Sequence, residues 1–384
     1  MNFTTKEVIS TSIISALGAL MFLLLPVVVG IITESLSLSE DQSGLLVSFY
    51  FLGFLSACIA SPFLTKNLNW KTLSYIGVAL MTLGLLSISI FPVYQKVLLC
   101  LSLIGIGSGT LFSLAIVILS STENAERYFG IKIIFEQITG ALMLFVIPAY
   151  VVVPFGYQGS FLAISITVLL LGLASLNLPN QFSITSGNVE SNLGSDKRKS
   201  SYNGFNIKLW IALICLCLFF GALSTLWAFV ERLAVDNQLN GDDIGLGLSL
   251  SVLGGAVGGL LAAYIGNKLN LKKSILLISP LIILIVWTFY LQFTFTIFTL
   301  AAFFLSLFWN FSLAYQMKIV INQDESKSSW LASCLAIGGI VCPALGGVLL
   351  GFSGWLGLFI AITVIITICS TGFYTVCSNK LHYK

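Results

Sequence analysis

The sequence predicts an all-helical membrane protein of twelve spans, and three observations predict it. Hydrophobic residues make up 57% of the 384 positions and charged residues 9%, whereas a soluble domain carries about 25% charged residues to wet its surface. Mean hydropathy is +1.01. The apolar residues also run continuously, as in Leu281–Trp287 and nearly so in Leu358–Ile368. Transmembrane strands instead alternate apolar and polar residues.

At 1.5 Å of rise per residue, about 20 residues cross roughly 30 Å of hydrocarbon. Runs 8–32 and 43–64 flank an acidic gap with Glu34, Glu40 and Asp41. A basic gap with Lys66 and Lys71 leads to 72–91, Lys96 precedes 97–120, and Arg127 precedes 129–153. Run 159–178 closes the first six. The next run, 206–230, is followed by Asp236, Asp242 and Asp243 and then by 243–265. Lys268, Lys272 and Lys273 introduce 274–292, and 296–317, 328–352 and 355–377 complete the twelve. The first run is longer than a signal-peptide core and lacks a small-residue cleavage site, so it is expected in the mature protein.

Orientation follows the basic residues. With an even number of spans, 16 of the 18 Lys and Arg fall on the side of the termini, leaving Lys96 and Arg232 opposite. Both termini are therefore expected in the cytoplasm. The basic residues are spread over many loops, which explains orientation and gives no nucleic-acid surface. The eight cysteines lie within or at the ends of apolar runs with no CxxC pair, and the single histidine is His382. They read as small core residues, with no metal site and no cofactor expected.

The one sustained polar stretch, 179–205, has the Ser, Asn, Gly and charge content of a flexible linker. It divides the chain into residues 1–178, an N-terminal six-helix bundle, and 206–384, a C-terminal one. The two halves repeat. At an offset of 201, Gly53 pairs with Gly254, Leu68 with Leu269, Asn69 with Asn270 and Lys71 with Lys272. At an offset of 198, GYQGSFL (156–162) matches GWLGLFI (354–360), and Gly140 meets Gly338. Parallel six-span repeats are a transporter architecture.

In these features the chain resembles the major facilitator superfamily over essentially its whole length. The turn GGLLAAYIGNKLNLKK (258–273) is similar to that family's loop signature. The first-half copy departs from it, with Ser61-Pro62 and Thr65-Lys66-Asn67 where the family keeps a glycine and an aspartate. Span 11 carries GGIVCPALGG (338–347), a pattern that the family more often shows in span 5. The span-4 arginine of many proton-coupled members is missing from 101–115. The resemblance implies two pseudo-symmetric six-helix bundles around a path lined by spans 1, 4, 7 and 10. It makes Gly258, Gly266, Lys268 and Lys272 gating-turn candidates.

No GxxxxGK[ST] segment is present to cradle a nucleotide phosphate. Gly105, Gly107 and Gly109 sit inside an apolar run, where helix packing accounts for them. No Asp and His cluster suggests an enzyme. Charges in hydrocarbon cost about 2.5–3.5 kcal/mol and so mark function. Glu136, about eight residues into its span, has Lys132 one turn earlier and Gln137 beside it. That is either a structural ion pair, with Lys132 snorkelling to the interface, or a protonatable site facing the path. Glu231 ends span 7 with Trp227 one turn deeper, as an interfacial anchor or an outer gate. Asn310 in span 10 either bonds a neighbouring helix or meets substrate, and the resemblance puts it and Trp227 near the substrate. The phenylalanines read mostly as lipid-facing or packing residues.

The expected activity is secondary active transport of a small neutral, zwitterionic or amphipathic solute by alternating access, with a coupling proton. The rival is a transporter-like membrane sensor or assembly factor that moves nothing. The expected setting is a monomer in the lipid bilayer of a cell membrane, in the first place a bacterial inner membrane.

Overall fold

The structure, a computed structural model, describes residues 3–121, 125–179, 206–265, 271–291, 294–323 and 330–378. Its helices are α1 (Thr5–Leu23), α2 (Leu25–Leu36), α3 (Glu40–Asn67), α4 (Trp70–Ile90), α5 (Tyr94–Ser120), α6 (Ala125–Val146) and α7 (Val153–Gly172). They continue with α8 (Ile207–Asp236), α9 (Gly241–Ile265), α10 (Leu271–Leu291), α11 (Phe295–Gln323) and α12 (Trp330–Ser378). No strand occurs among the described residues. A backbone in hydrocarbon must satisfy its own polar groups, and the helix does so within one segment.

Among the described residues, nine helical stretches are long and apolar enough to cross a membrane. Two of them, Tyr128–Asn177 and Ser333–Cys377, each supply two spans. With Ser274–Tyr290 the spans number twelve, and Leu25–Leu36 extends the first. Leu99, Leu170, Leu260, Leu284 and Leu345 stand exposed on the outer surface, where hydrocarbon tolerates them and water would not. Polar residues mark the helix starts. Thr4 accepts from Glu7 N while Glu7 accepts from Thr4 N, Asn69 caps α4 and Asn206 caps α8.

The doubled spans turn at glycines with positive φ, Gly156 and Gly354. Thr167 Oγ1 reaches Met143 Sδ across the first turn at 3.8 Å. Around the second, Gly338 packs on Cys217 and Gly372 on Cys215, nearly the same level of α8. The chain has therefore doubled back. A second repeated pair of turns lies at the same end of the spans: Ser37 and Gln238 are the described non-glycine residues with positive φ. In each turn the residue's own N–H bonds three back and the next N–H bonds five back, Ser37 N to Glu34 O with Leu38 N to Thr33 O, and Gln238 N to Val235 O with Leu239 N to Ala234 O. These are helix C-caps closed by a left-handed residue.

Packing repeats too. In the first half α3 and α4 lie on α5, and α1 on α5 and α6; in the second α9 and α10 lie on α11, and α12 on α8. Gly53 abuts the Ser102 carbonyl and Gly254 the Phe303 carbonyl, both pairs related by the offset of the repeat. Gly258 abuts the Leu307 carbonyl. The fold is thus two pseudo-symmetric six-helix bundles. The predicted linker lies, apart from residue 179, outside the described residues.

Candidate functional site

Between the halves lies a cavity of about 240 Å³. Spans 1, 4 and 5 line it with Phe22, Phe112, Glu136 and Gln137, and spans 7, 8 and 10 with Phe220, Trp227, Gly255, Ser306, Trp309 and Asn310. Four of the five predicted path residues therefore meet in one place. Glu231 does not join them.

Glu136 is buried, and so is Lys132. Lys132 Nζ lies 2.6 Å from Glu136 Oε1, and Ser15 Oγ donates to the same oxygen at 2.5 Å. Lys132 Nζ also sits 4.3 Å from the centroid of the Phe112 ring, a cation–π placement. Spacing by four residues on α6 brings the ion pair together, while Ser15 and Phe112 come from α1 and α5. Of the two sequence readings, the one with Lys132 snorkelling to the interface does not hold in that detail: Lys132 is held inside by a carboxylate and a ring.

On the other wall, Trp227 Nε1 donates to the Phe22 carbonyl at 3.2 Å, joining span 7 to span 1. Phe22 sits just before the break between α1 and α2, where Pro26 follows in the first turn of α2. Asn310 Nδ2 donates to Ser306 O at 2.9 Å. The amide nitrogen thus bonds its own helix and not a neighbouring one. Phe22, Phe220 and Trp309 pack with ring centroids 5.7–6.5 Å apart, and Phe51 joins them. Reading the phenylalanines as lipid-facing or packing missed this cluster. Composition alone gives no signal for it, because the same ring suits lipid, core and cavity.

The end of the bundle away from Thr5 is closed across the halves. Gly44 of α3 abuts the Pro343 carbonyl of α12, and Gly347 of α12 abuts the Glu40 carbonyl. Ser48 Oγ donates to Ile340 O at 2.6 Å. Gly245 of α9 faces the Leu144 and Phe145 carbonyls. Arg232 Nη2 reaches Glu40 Oε1 at 2.7 Å. Glu231 lies here against Gly30, in a separate cavity of about 410 Å³ with Glu34 and Asp236. Of the gating-turn candidates, Gly258 makes the close approach to Leu307 and Lys272 Nζ lies 5.5 Å from the Tyr374 ring centroid. Gly266 and Lys268 lie outside the described residues.

Residues 209–380 match the family model of the Major Facilitator Superfamily. The match falls on the half whose turn keeps more of the family pattern. Over nearly the full length, the fold superimposes on the nucleoside transporter NupG, with a TM-score of 0.78 at 12% identity, covering 99% of this chain and 100% of that one. A bacterial homolog of the human lysosomal transporter Spinster, inward-facing and unoccupied, gives 0.75 at 13% identity and 98% coverage of both chains. Its occupied form gives 0.64 at 13% identity, covering 97% and 96%. No curated protein sequence matches. The C-terminal half of the chain thus matches the Major Facilitator Superfamily, and its whole length shares the fold of these transporters. In this chain, as the family resemblance implied, spans 1, 4, 7 and 10 line the central cavity, and spans 5 and 8 add Glu136, Gln137 and Gly255.

Proposed function

We propose that this chain is a secondary transporter that carries a small neutral, zwitterionic or amphipathic solute by alternating access, driven by a proton on Glu136. The observation that carries the reading is the shared cavity. Glu136 and Gln137 come from one half, Trp227 and Asn310 from the other, and the bundle is closed on one side of them. Rocking the halves about this point would open the closed end and shut the other. With the termini cytoplasmic, as the distribution of basic residues predicts, the present state faces inward. The two units that rock are residues 1–178 and 206–384, tethered by the linker.

Both partners of Glu136 hold Oε1, which leaves Oε2 to take a proton from the cavity. Protonation would release Lys132 from its partner, so the carboxyl group's state and the arrangement of spans 1, 4 and 5 would change together. The nucleoside transporter among the similar structures fits a solute of this size and polarity. The test is a solute screen on membrane vesicles from cells overexpressing the chain, with and without an imposed proton gradient. Accumulation that collapses with the gradient supports the reading. A chain that moves no solute in either direction would be the sensor or assembly factor instead.

A further inference from the structure

Among the described residues, the cavity has one buried donor that the protein leaves unsatisfied. Trp309 is 6% exposed, lines the cavity, and its indole Nε1 has no hydrogen-bond partner. Trp227, the other indole there, has given its N–H to Phe22 O. A buried N–H without an acceptor costs free energy that a bound acceptor would recover. Next to it, Asn310 has committed its Nδ2 to Ser306 O, and its carbonyl oxygen remains to accept. Adjacent residues of one helix in the cavity wall thus hold an unused donor and an unused acceptor.

Its remaining character is aromatic and electrically balanced. Five of the fourteen lining residues carry rings, and flat rings pack best against other flat rings in offset or edge contact. Glu136 is the one charged residue in that lining, and Lys132 neutralises it at 2.6 Å. An ionic ligand would lose its water and find no free counter-charge. At about 240 Å³ the space lies below the range of drug-sized pockets.

We infer that the ligand of this cavity is a small, planar, uncharged heteroaromatic molecule that gives an acceptor to Trp309 Nε1 and a donor to the Asn310 carbonyl. This rests on the transport reading only in taking the cavity as the place where solute binds.

The test is binding to the purified full chain in detergent, read by thermal shift and saturation-transfer NMR. The probes are nicotinamide, uracil, adenine and indole-3-carboxamide, set against three matched controls: nicotinate (anionic), 1-methylnicotinamide (cationic) and cyclohexanecarboxamide (not planar). We expect at least one of the four neutral rings to bind, and the controls to bind at least tenfold more weakly. Trp309→Phe keeps the ring contacts and removes the N–H. It should weaken the binding probe about 3- to 10-fold, the range of one net hydrogen bond. Asn310→Ala should do the same if Trp309→Phe fails to fold. Failure of all four rings, a control that binds as tightly, or unchanged affinity in both variants overturns the inference. Binding without counterflow in proteoliposomes would support the ring inference while removing the transport reading.

Discussion

Gly156 adopts φ +58°, ψ −152° and Gly354 adopts φ +60°, ψ −166°, the same left-handed conformation at the turn between spans 5 and 6 and between spans 11 and 12. Nothing lies within 4 Å of a Cβ added at either position. Space does not select glycine here; the backbone does. This region of φ and ψ is nearly closed to other residues and costs them about 1–3 kcal/mol. Gly156→Ala and Gly354→Ala should each lower stability by that amount, read as an earlier thermal midpoint in detergent. Unchanged midpoints would mean that the turns relax without glycine.

A sharper contrast sits in one dipeptide. A Cβ on Gly258 would overlap the Leu307 carbonyl, whereas one on Gly259 meets nothing within 4 Å. Gly258→Ala should push α9 from α11 and cost about 1–3 kcal/mol. Gly259→Ala should be neutral or stabilise by up to about 1 kcal/mol, since alanine is the better helix former. Thermal melts of the two variants side by side decide it. Equal effects would remove the close approach as the reason for Gly258.

Breaking the buried ion pair tests Glu136. Glu136→Gln leaves Lys132 inside without its carboxylate, which costs about 3–5 kcal/mol in buried pairs. Adding Lys132→Met should restore most of the stability. Accumulation should stay lost in both proteins if Glu136 carries the coupling proton, while exchange of solute down its gradient continues. Full accumulation by the double variant would leave the pair a purely structural role.

Arg232 and Glu40 join the halves at the closed end with side chains 27% and 22% exposed. Such a pair is worth at most about 1 kcal/mol, enough to shift a balanced equilibrium several-fold. Spin labels at Ser35 and Asn237 should show a longer distance component after Arg232→Glu. The exchange variant with Glu40→Arg as well should return it. A single unchanged distance in all three proteins would mean that the glycine contacts and the Ser48 hydrogen bond hold this end without the ion pair.

The spans were legible because hydrocarbon thickness and helical rise leave few choices for a run of twenty apolar residues. The repeat was legible because its glycines are needed where they stand. Lys132 shows where legibility stops. Its spacing from Glu136 announced a pair, but its long stem could reach water or stay inside, and only Ser15 and Phe112 from other helices settle which. Glu231 and Asn310 were equally ambiguous: distance along a helix places a residue in depth, and the neighbour that meets it comes from a distant part of the chain. The Phe22, Phe220 and Trp309 cluster gave no sign, since it exists only when spans 1, 7 and 10 converge.

The matching turns at Ser37 and Gln238, and at Gly156 and Gly354, show a scaffold that stayed alike after doubling. The cavity did not stay alike. The ion pair belongs wholly to the first copy, and the unsatisfied indole with its neighbouring amide to the second. Inheritance preserved the frame and separated the tasks. A gene that joined two first copies would encode turns that still close and helices that still pack. It would hold two carboxylates with two lysines, and nothing opposite them to grip a ring.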